Sequence, residues 1–403
     1  MKNLKLECYL CGAEIFEVDT LVLGKQPASN KFSLEVGAID NKFDLSLGQC
    51  KSCALVQLVN APSIDAITPT LPWISYGEPV EHLGVLSQFL RGLLMDSAVI
   101  YGVGPFDAPL IERLSDLRPV SGILDLMRHI PINVGLFPYL ESYQIVLTKE
   151  VLSSEINYEK KAQLVVCRYL LEHCKNPIAT LKALESLLDV DGYLFIEVPD
   201  SSKFINVGDY SFIWEEHNLY FTDMTFRRLV ASAGLKVHSM FRFPGVLEDA
   251  LVFILQSSDL KFNKSIPIAK KELVEFEKYR SNFDQIKQRY HLKMKELVSA
   301  GNLIAIFGAG HQTISFINLF GIDSYIECII DDDENKRGMY LPGSHLPIIS
   351  SIQFFDESRA NICLLGIGPK SEKKVLSNLE DFTDRGGIIY SIFPGSKLAN
   401  LVG

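Results

Sequence analysis

The 403-residue sequence has no apolar run that approaches the roughly 20 residues needed to cross a bilayer. Its first residues contain neither an apolar core nor a small-residue cleavage site, so we expect no secretory signal and a cytoplasmic protein. Basic residues are in the minority, with 39 Lys and Arg against 49 Asp and Glu and a net charge of −10. Because phosphate backbones are bound by clustered Lys and Arg, this balance argues against nucleic acid as a partner.

Cysteine is too sparse for a disulfide framework, with eight residues in the chain. Four stand singly in apolar surroundings, where reduced and buried thiols are expected: Cys167, Cys174, Cys328 and Cys363. The other four form two C-x-x-C pairs: Cys8 with Cys11, and Cys50 with Cys53. Two such pairs can place four thiolates tetrahedrally around a structural Zn²⁺, which is the interpretation we favour. Two unrelated buried pairs, or a redox motif, are the alternatives.

A polar loop that follows a predicted strand is the main candidate for an active site. Residues 193–198 form an apolar run after Gly192, and the loop beyond it ends in the cluster Trp214-Glu215-Glu216-His217. A strand whose carboxyl end leads into an acid- and base-rich loop is typical of α/β active sites. Imidazole titrates near neutral pH, so His217 is the first candidate for a general base. A solvated ion cluster is the alternative.

Three segments of the sequence resemble a known family: LLEHCKNPIATLKALESLLDVDGYLFIEVPD (170–200), WEEHNLYF (214–221) and GMYLPGSHLPI (338–348). They are similar to the three-domain C-methyltransferases that act on nucleotide-linked keto-deoxysugars. The resemblance implies an α/β protein with a Rossmann-like S-adenosylmethionine-dependent methyltransferase domain over 71–260. It also implies an N-terminal zinc-binding domain over 1–70 and a C-terminal Rossmann-like domain within 261–403. We expect a monomer or a homodimer.

The cofactor site is expected at a glycine turn after the first strand of the methyltransferase domain. Gly102 and Gly104 let the backbone approach a ligand, and Asp125, at the end of the next strand, could accept hydrogen bonds from ribose hydroxyls. A solvated loop carboxylate is the alternative for Asp125. Asp107 of the turn and Arg168 beneath the cofactor complete the predicted S-adenosylmethionine site.

The resemblance also implies a reaction. A nucleotide-linked 4-keto-6-deoxysugar would lose a proton next to its ketone and be methylated on that carbon. We predict that His217 removes the proton, that Glu216 orients it or holds a sugar hydroxyl, and that His173 supports the enolate oxygen. The predicted substrate contacts are Trp73, Tyr76, His82, Trp214 and His345. Packing between domains is the alternative for Trp73 and Tyr76.

Three positions depart from the family pattern and keep other functions open. Gly102 lies near the place of an expected acid, Gln163 stands where the strand begins with Asp, and Trp214 replaces a tyrosine. The alternatives are a decayed methyltransferase that binds a nucleotide sugar or a partner enzyme, and a methyltransferase with an O- or N-acceptor.

The last part of the sequence begins with a predicted helix over 270–299, because its apolar residues recur in steps of three and four. A strand and a turn with Gly308 and Gly310 follow, but Thr313 stands where a dinucleotide-binding motif has its third glycine. We therefore expect this part to help close the substrate site rather than to bind NAD.

Overall fold

The computed structural model describes residues 6–35, 37, 41–117, 120–129, 140–155, 161–245, 248–258, 266–268, 270–394, 396, 398 and 400–402. Within these ranges the chain forms a two-stranded, a four-stranded, a six-stranded and a five-stranded sheet. None of the helices in the described ranges combines the length and apolarity needed to span a membrane. The four single cysteines are buried and unpaired, as predicted.

The two C-x-x-C pairs lie in the turns of two N-terminal hairpins. The strands are β1 (Leu6–Glu7), β2 (Glu14–Ile15), β3 (Thr20–Gln26), β4 (Phe43–Gln49) and β5 (Val56–Leu58), and each pairs antiparallel with its neighbour in its own sheet. The first pair occupies the β1–β2 turn, where Gly12 has a φ of 69°, a conformation that glycine adopts without strain. Helices α1 (Ile64–Ile67) and α2 (Leu83–Arg91) follow.

The middle of the chain forms the six-stranded sheet, with the strand order β11-β12-β9-β8-β6-β7. The strands are β6 (Val99–Gly102), β7 (Val120–Ile123), β8 (Ala162–Arg168), β9 (Leu188–Asp200), β11 (Leu235–Phe243) and β12 (Asp249–Ser257). Strands β7, β6, β8 and β9 pair parallel with their neighbours, β12 pairs antiparallel with β9, and β11 pairs antiparallel with β12. The helices are α3 (Ala108–Glu112), α4 (Leu140–Val146), α5 (Lys149–Glu155), α6 (Pro177–Glu185), α7 (Ser202–Val207) and α8 (Asp223–Ser232). The carboxyl ends of β6, β8 and β9 therefore meet at one edge, where α/β sheets bind ligands.

The segment after β9 leaves this sheet and joins the N-terminal one. Its short strand β10 (Leu219–Tyr220) pairs antiparallel with β5, so that Leu219 faces Gln57 and Tyr220 faces Val56. The four-stranded sheet thus has the order β10-β5-β4-β3. Because His217 lies two residues before β10, the N-terminal sheet helps to position the loop with the predicted catalytic residues.

A single helix, α9 (Lys270–Ser299), connects the sheets and has the bounds that the sequence predicts. Its buried residues are Phe276, Tyr279, Phe283, Tyr290 and Met294. They belong to one apolar cluster with residues of the N-terminal sheet, of the 204–213 segment and of the C-terminal sheet. The helix therefore forms the centre around which these three parts pack.

The C-terminal sheet is parallel throughout and has the order β15-β14-β13-β16-β17. Its strands are β13 (Ile304–Phe307), β14 (Ile326–Ile330), β15 (Ile348–Ile349), β16 (Ile362–Leu365) and β17 (Ile388–Ser391). The helices are α10 (His311–Phe320), α11 (Ser351–Glu357), α12 (Pro369–Asn378) and α13 (Glu380–Asp384). Helix α10 begins directly after the turn with Gly308 and Gly310.

Candidate functional site

The four cysteines of the two pairs come together between the N-terminal hairpins. Their sulfur atoms all lie within 4.8 Å of one another. The Sγ atoms of Cys8 and Cys53 are 3.5 Å apart, as are those of Cys11 and Cys50. Backbone N–H groups of Leu10 and Ser52 are directed at two of the sulfurs. Four converging thiols with amide donors around them are a donor set that fits Zn²⁺.

The glycine turn after β6 is held in place by hydrogen bonds to the carboxylate of Asp107. Asp107 is fully buried, and its Oδ2 accepts hydrogen bonds of 2.8 Å from the N–H groups of Val103 and Gly104. Its Oδ1 accepts a 3.0 Å bond from the N–H of Arg168. Burial raises the pKa of Asp107 to about 7, although these three bonds oppose the shift. Asp107 therefore holds the turn against β8.

The position of the turn fits S-adenosylmethionine. The turn lies at the carboxyl end of β6, and a Cβ on Gly104 would come within 2.5 Å of Leu170 Cδ1, so a larger residue here would have to displace that side chain. Asp125 is exposed two residues beyond β7, where a ribose could reach it. Gly102, Gly104 and Asp125 thus stay the residues predicted to hold the cofactor. Asp107 is fully buried and accepts three hydrogen bonds from the backbone, so its predicted direct contact with the cofactor stays a prediction.

The guanidinium of Arg168 also forms its hydrogen bonds within the protein. It is fully buried at the end of β8, and its Nε donates to Glu197 Oε2 over 2.5 Å. Its other nitrogens donate to the carbonyl groups of Phe106 and Pro79. The second oxygen of Glu197 lies 2.7 Å from Nε2 of His82. Burial raises the pKa of Glu197, but His82 and Arg168 outweigh burial, so the pKa lies below its usual value.

We expect Glu197→Gln to lower the free energy of unfolding by about 3–5 kcal/mol, because it leaves the Arg168 guanidinium buried without its counter-charge. Urea unfolding of the two proteins measures the difference. Glu81→Gln is the matched control: Glu81 and Lys370 are 2.8 Å apart with side chains 70% and 66% exposed. Exposed ion pairs contribute little, so the control should keep the urea midpoint. Equal losses in the two variants would contradict the buried-pair interpretation.

His217, in the loop after β9, meets a carboxylate and a second imidazole from the turn after β8, Glu172 and His173. The ring of His217 contacts that of His173 edge to face, with centroids 4.8 Å apart. Side-chain ligand atoms of Glu172, His173 and His217 lie within 4.8 Å of one another. Burial and neighbouring carboxylates raise the pKa of Glu172 well above its usual value, and burial lowers that of His173 to about 4. At neutral pH the His173 ring is therefore uncharged.

His173 cannot support an enolate in the way that the sequence interpretation assumed. Its Nδ1 is 3.1 Å from the carbonyl oxygen of Glu216, and a carbonyl can only accept a hydrogen bond. Nδ1 therefore carries the proton, and Nε2 of the neutral ring is left as an acceptor. An enolate oxygen needs a donor, so this role has to fall to another residue.

The two glutamates of the loop are held from the N-terminal part of the chain. The N–H of Ser29 donates to Glu215 Oε1 over 2.5 Å, and the side-chain amide of Asn30 is 3.4 Å from Glu216 Oε1. The hydroxyl of Tyr76 donates to the same oxygen of Glu216 over 2.8 Å. Glu216 thus orients Tyr76 and is anchored on two sides.

Two cavities adjoin this loop. The smaller, of about 240 Å³, is lined by residues of all three parts of the chain, among them Asn30, Trp73, Tyr76, Trp214 and His311. The larger, of about 530 Å³, is lined among others by His82, Tyr169, Glu248, Gln312 and Lys370. His311 and Gln312 are consecutive at the start of α10, so this helix begins between the two cavities.

The predicted substrate residues are divided between the cavities. Trp73, Tyr76 and Trp214 line the smaller one, and His82 lines the larger one. His345 lies instead in the turn 341–346, with a φ of 55° and its N–H bonded to Leu341 O. That turn rests on the N-terminal part through Gly343, where a Cβ would meet Pro27 at 2.7 Å.

Sequence reasoning missed several polar residues of this region: Asn30, Glu197 and His311. Glu197 carried a usable signal, because a carboxylate inside the apolar run Leu194–Val198 has to be paired when it is buried. His311 stacks on Trp214 with centroids 3.4 Å apart and planes within 2°. No local pattern could have placed these rings together, since 96 residues separate them.

Two solved structures resemble parts of the chain. The 1,6-didemethyltoxoflavin-N1-methyltransferase of Burkholderia thailandensis, solved with S-adenosylhomocysteine, is 14% identical over 44% of this chain and 78% of its own, with a TM-score of 0.31. The CcbJ methyltransferase of Streptomyces caelestis is 11% identical over 46% of this chain and 94% of its own, with a TM-score of 0.30. Scores below 0.5 are too low for these similarities to bear on the fold.

Family models and a curated relative identify the chain. The model for a methyltransferase domain matches residues 93–240, and the model for the C-terminal domain of C-methyltransferases matches residues 269–394. Together they cover more than half of the chain. C-methyltransferase NovU of Streptomyces niveus is 24% identical to this chain over an alignment 407 residues long, which covers 94% of each protein. The chain belongs to the C-methyltransferase family and is an S-adenosylmethionine-dependent methyltransferase.

Proposed function

We propose that the protein methylates the carbon next to the ketone of a nucleotide-linked 4-keto-6-deoxysugar, with His217 as the base. The observation that carries the proposal is the position of the His217 ring, which contacts the rings of His173 and Trp214 in a loop beside two cavities. The sugar class is supported by the resemblance of residues 170–200, 214–221 and 338–348 to enzymes with such acceptors. Walls built from aromatic and polar side chains suit a ligand of this kind.

His217 is suited to take a proton because it is uncharged. Burial, and then the neighbouring His173 and His311, lower its pKa well below 6.5. At neutral pH the ring accordingly has a free lone pair. In the proposed reaction His217 takes the proton from the carbon next to the ketone, and the electron pair of the broken C–H bond forms the enolate.

The enolate oxygen needs a hydrogen-bond donor, and we assign this role to Trp214. Its indole N–H can only donate, and the residue lines the smaller cavity beside Tyr76. The tyrosine expected at this position could act as a base, whereas tryptophan cannot, so the substitution leaves proton removal to His217. When bound, S-adenosylmethionine supplies the electrophilic methyl group.

We further propose that Cys8, Cys11, Cys50 and Cys53 bind a structural Zn²⁺. The converging sulfurs and their amide donors support this assignment. Four protein ligands leave no coordination position for substrate, so the metal would stabilise the fold without taking part in the reaction.

Thymidine-diphosphate-linked 4-keto-6-deoxyglucose in D₂O tests the function. We expect solvent deuterium to enter next to the ketone without a methyl donor, because His217 can exchange that proton. Addition of S-adenosylmethionine should give one carbon-bound methyl group per sugar, as read by mass spectrometry and by NMR of a ¹³C-methyl label. A methyl group on oxygen, or neither exchange nor methylation, would refute the proposal.

The pH dependence of kcat follows from the lowered pKa of His217. The neutral form of His217 is the active one. This form is lost only when the pH falls through the pKa that His217 has in the folded protein, which lies below the ordinary 6.5. We expect kcat to be flat from about pH 8 to pH 6.5 and to decline at lower pH. Initial rates at saturating substrates measure this. An acidic limb centred at or above pH 6.5 would contradict the assignment.

A further inference from the structure

One residue of the C-terminal part of the chain is packed against the loop that contains the predicted catalytic residues. His311 is the first residue of α10, and its side chain is 6% exposed. Its ring lies flat on the indole of Trp214, with centroids 3.4 Å apart and planes within 2°. The imidazole therefore covers a face of the residue to which the donor role is assigned.

The same imidazole is bonded to the backbone beside Trp214. Its Nε2 lies 3.3 Å from the carbonyl oxygen of Ile213 and 3.0 Å from Oγ of Ser315, one turn further along α10. A carbonyl group can only accept a hydrogen bond, so Nε2 carries the proton. Burial lowers the pKa of His311, although Glu215 opposes the shift, and the ring is uncharged at neutral pH. A neutral ring bonded to residue 213 is thus held in the position where it stacks on residue 214.

Helix α10 fixes the position of this imidazole. The buried residues Ile314 and Ile317 of the helix belong to the same apolar cluster as Phe212 and Ile213 of the loop. Side chains on packed helices are placed more precisely than side chains on loops. In the pair of stacked rings, His311 is therefore the fixed member and Trp214 is the member that it orients.

The backbone and the ring of Trp214 are held by different neighbours. The backbone N–H and carbonyl group are both bonded to the Tyr220 hydroxyl, at 3.0 and 2.9 Å. The ring is half-buried, and among the described residues it stacks on His311 and, less closely, on His217, with centroids 5.6 Å apart and planes at 19°. The direction of the indole N–H therefore depends on the contact with His311.

We propose that His311 is a positioning residue for methyl transfer, which by stacking on Trp214 directs the indole N–H at the place where the enolate oxygen forms. The inference rests on the proposed function, in which this N–H is the donor. A donor stabilises a developing negative charge best when it already points at it, because reorientation during the reaction costs free energy. The C-terminal part of the chain thus contributes to the chemical step as well as to closing the site.

Substitutions of His311 separate the ring contact from the hydrogen bond. His311→Ala should lower kcat about 10- to 100-fold with little change in KM for the sugar, the usual effect of a misplaced donor. His311→Phe keeps a ring on the indole and should restore kcat to within a few-fold of the unmodified protein. His311→Gln keeps a hydrogen-bonding group without a ring and should resemble His311→Ala. The comparison of Phe with Gln decides the question even if the alanine variant does not fold.

Deuterium exchange next to the ketone, measured without a methyl donor, shows which step is affected. Exchange requires the enolate but no methyl transfer, so it should fall in His311→Ala in parallel with kcat. Unchanged exchange in this variant would place the effect in cofactor binding or in closure of the site and would overturn the inference.

Fluorescence anisotropy tests the orientation of the indole without turnover. The chain has two tryptophans, so Trp73→Phe leaves Trp214 as the single emitter. In this background, His311→Ala should add a sub-nanosecond component of ring motion to the anisotropy decay, and His311→Phe should not. If the unmodified protein neither exchanges nor methylates, the proposed function fails. An anisotropy decay that His311→Ala leaves unchanged would overturn the positioning role by itself.

His291→Ala is the matched control, because Nε2 of His291 is also bonded to α10, 2.7 Å from the carbonyl oxygen of Phe320. This change removes an imidazole that supports the same helix but lies outside the ring stack. It should keep kcat and the anisotropy decay. An equal loss of kcat in His291→Ala, or a folded His311→Phe with no more activity than His311→Gln, would overturn the inference.

Discussion

Replacing His217 with asparagine is expected to lower kcat for methyl transfer by about 10²- to 10⁴-fold, the usual contribution of a general base. Asparagine keeps a polar side chain in the loop but cannot take up a proton. Deuterium exchange next to the ketone should be lost in parallel, because it depends on the same proton transfer. Binding of S-adenosylhomocysteine, measured by calorimetry, should be retained, since His217 is not among the residues predicted to hold the cofactor.

His238→Asn is the control for the His217 substitution, because His238 is an exposed imidazole on β11. It should keep full activity. His173→Asn decides between the two rings of the pair, since His173 also has an unprotonated nitrogen in its Nε2. A greater loss of exchange in His173→Asn than in His217→Asn would move the role of the base to His173.

Replacing Cys50 with serine is expected to release the metal and to remove most of the activity, although Cys50 takes no part in the proposed reaction. Structural zinc contributes about 10–16 kcal/mol of apparent binding free energy to small domains at neutral pH. The second cysteine pair leads directly into β5, and β5 pairs with β10, two residues after His217. Loss of the metal should therefore displace the catalytic loop.

Metal content by plasma mass spectrometry and kcat/KM are the two measurements for this substitution. We expect one zinc per chain before the change and little after it, with at least a 100-fold lower kcat/KM if loop placement is lost, a loss equivalent to about 2.7 kcal/mol. Cys328→Ala is the control, because Cys328 is a buried single thiol in β14. Full zinc content in Cys50→Ser, or a metal-free protein with unchanged kcat/KM, would contradict this account.

The N-terminal part of the chain therefore has a direct influence on the active site. It contributes β5 to the pairing with β10, Ser29 to Glu215 and Asn30 to the smaller cavity. The larger cavity is closed in the same manner by Gln312 and Lys370 from the C-terminal part. Each cavity thus depends on a part of the chain other than the methyltransferase sheet.

Much of the local structure followed from the sequence, because periodicity and spacing are local properties. The 30-residue helix α9 has its predicted bounds. The predicted strand 193–198 is the middle of the longer β9, since pairing with β8 and β12 extends it at both ends. The sulfurs of the two C-x-x-C pairs converge as their spacing suggested.

By itself, the sequence determined the family, the helices and strands, and the residue types available for proton transfer. Only the tertiary structure decided which atoms of those residues are free to act. Asp107 is bonded to the glycine turn, Arg168 is bonded to Glu197, and the Nδ1 proton of His173 is directed at a carbonyl group. Asn30 and His311 line the same cavity only because folding brings them together. The protonation state of a buried group, and the hydrogen-bonding positions it has left, depend on neighbours that are distant in the chain. No local pattern encodes those neighbours.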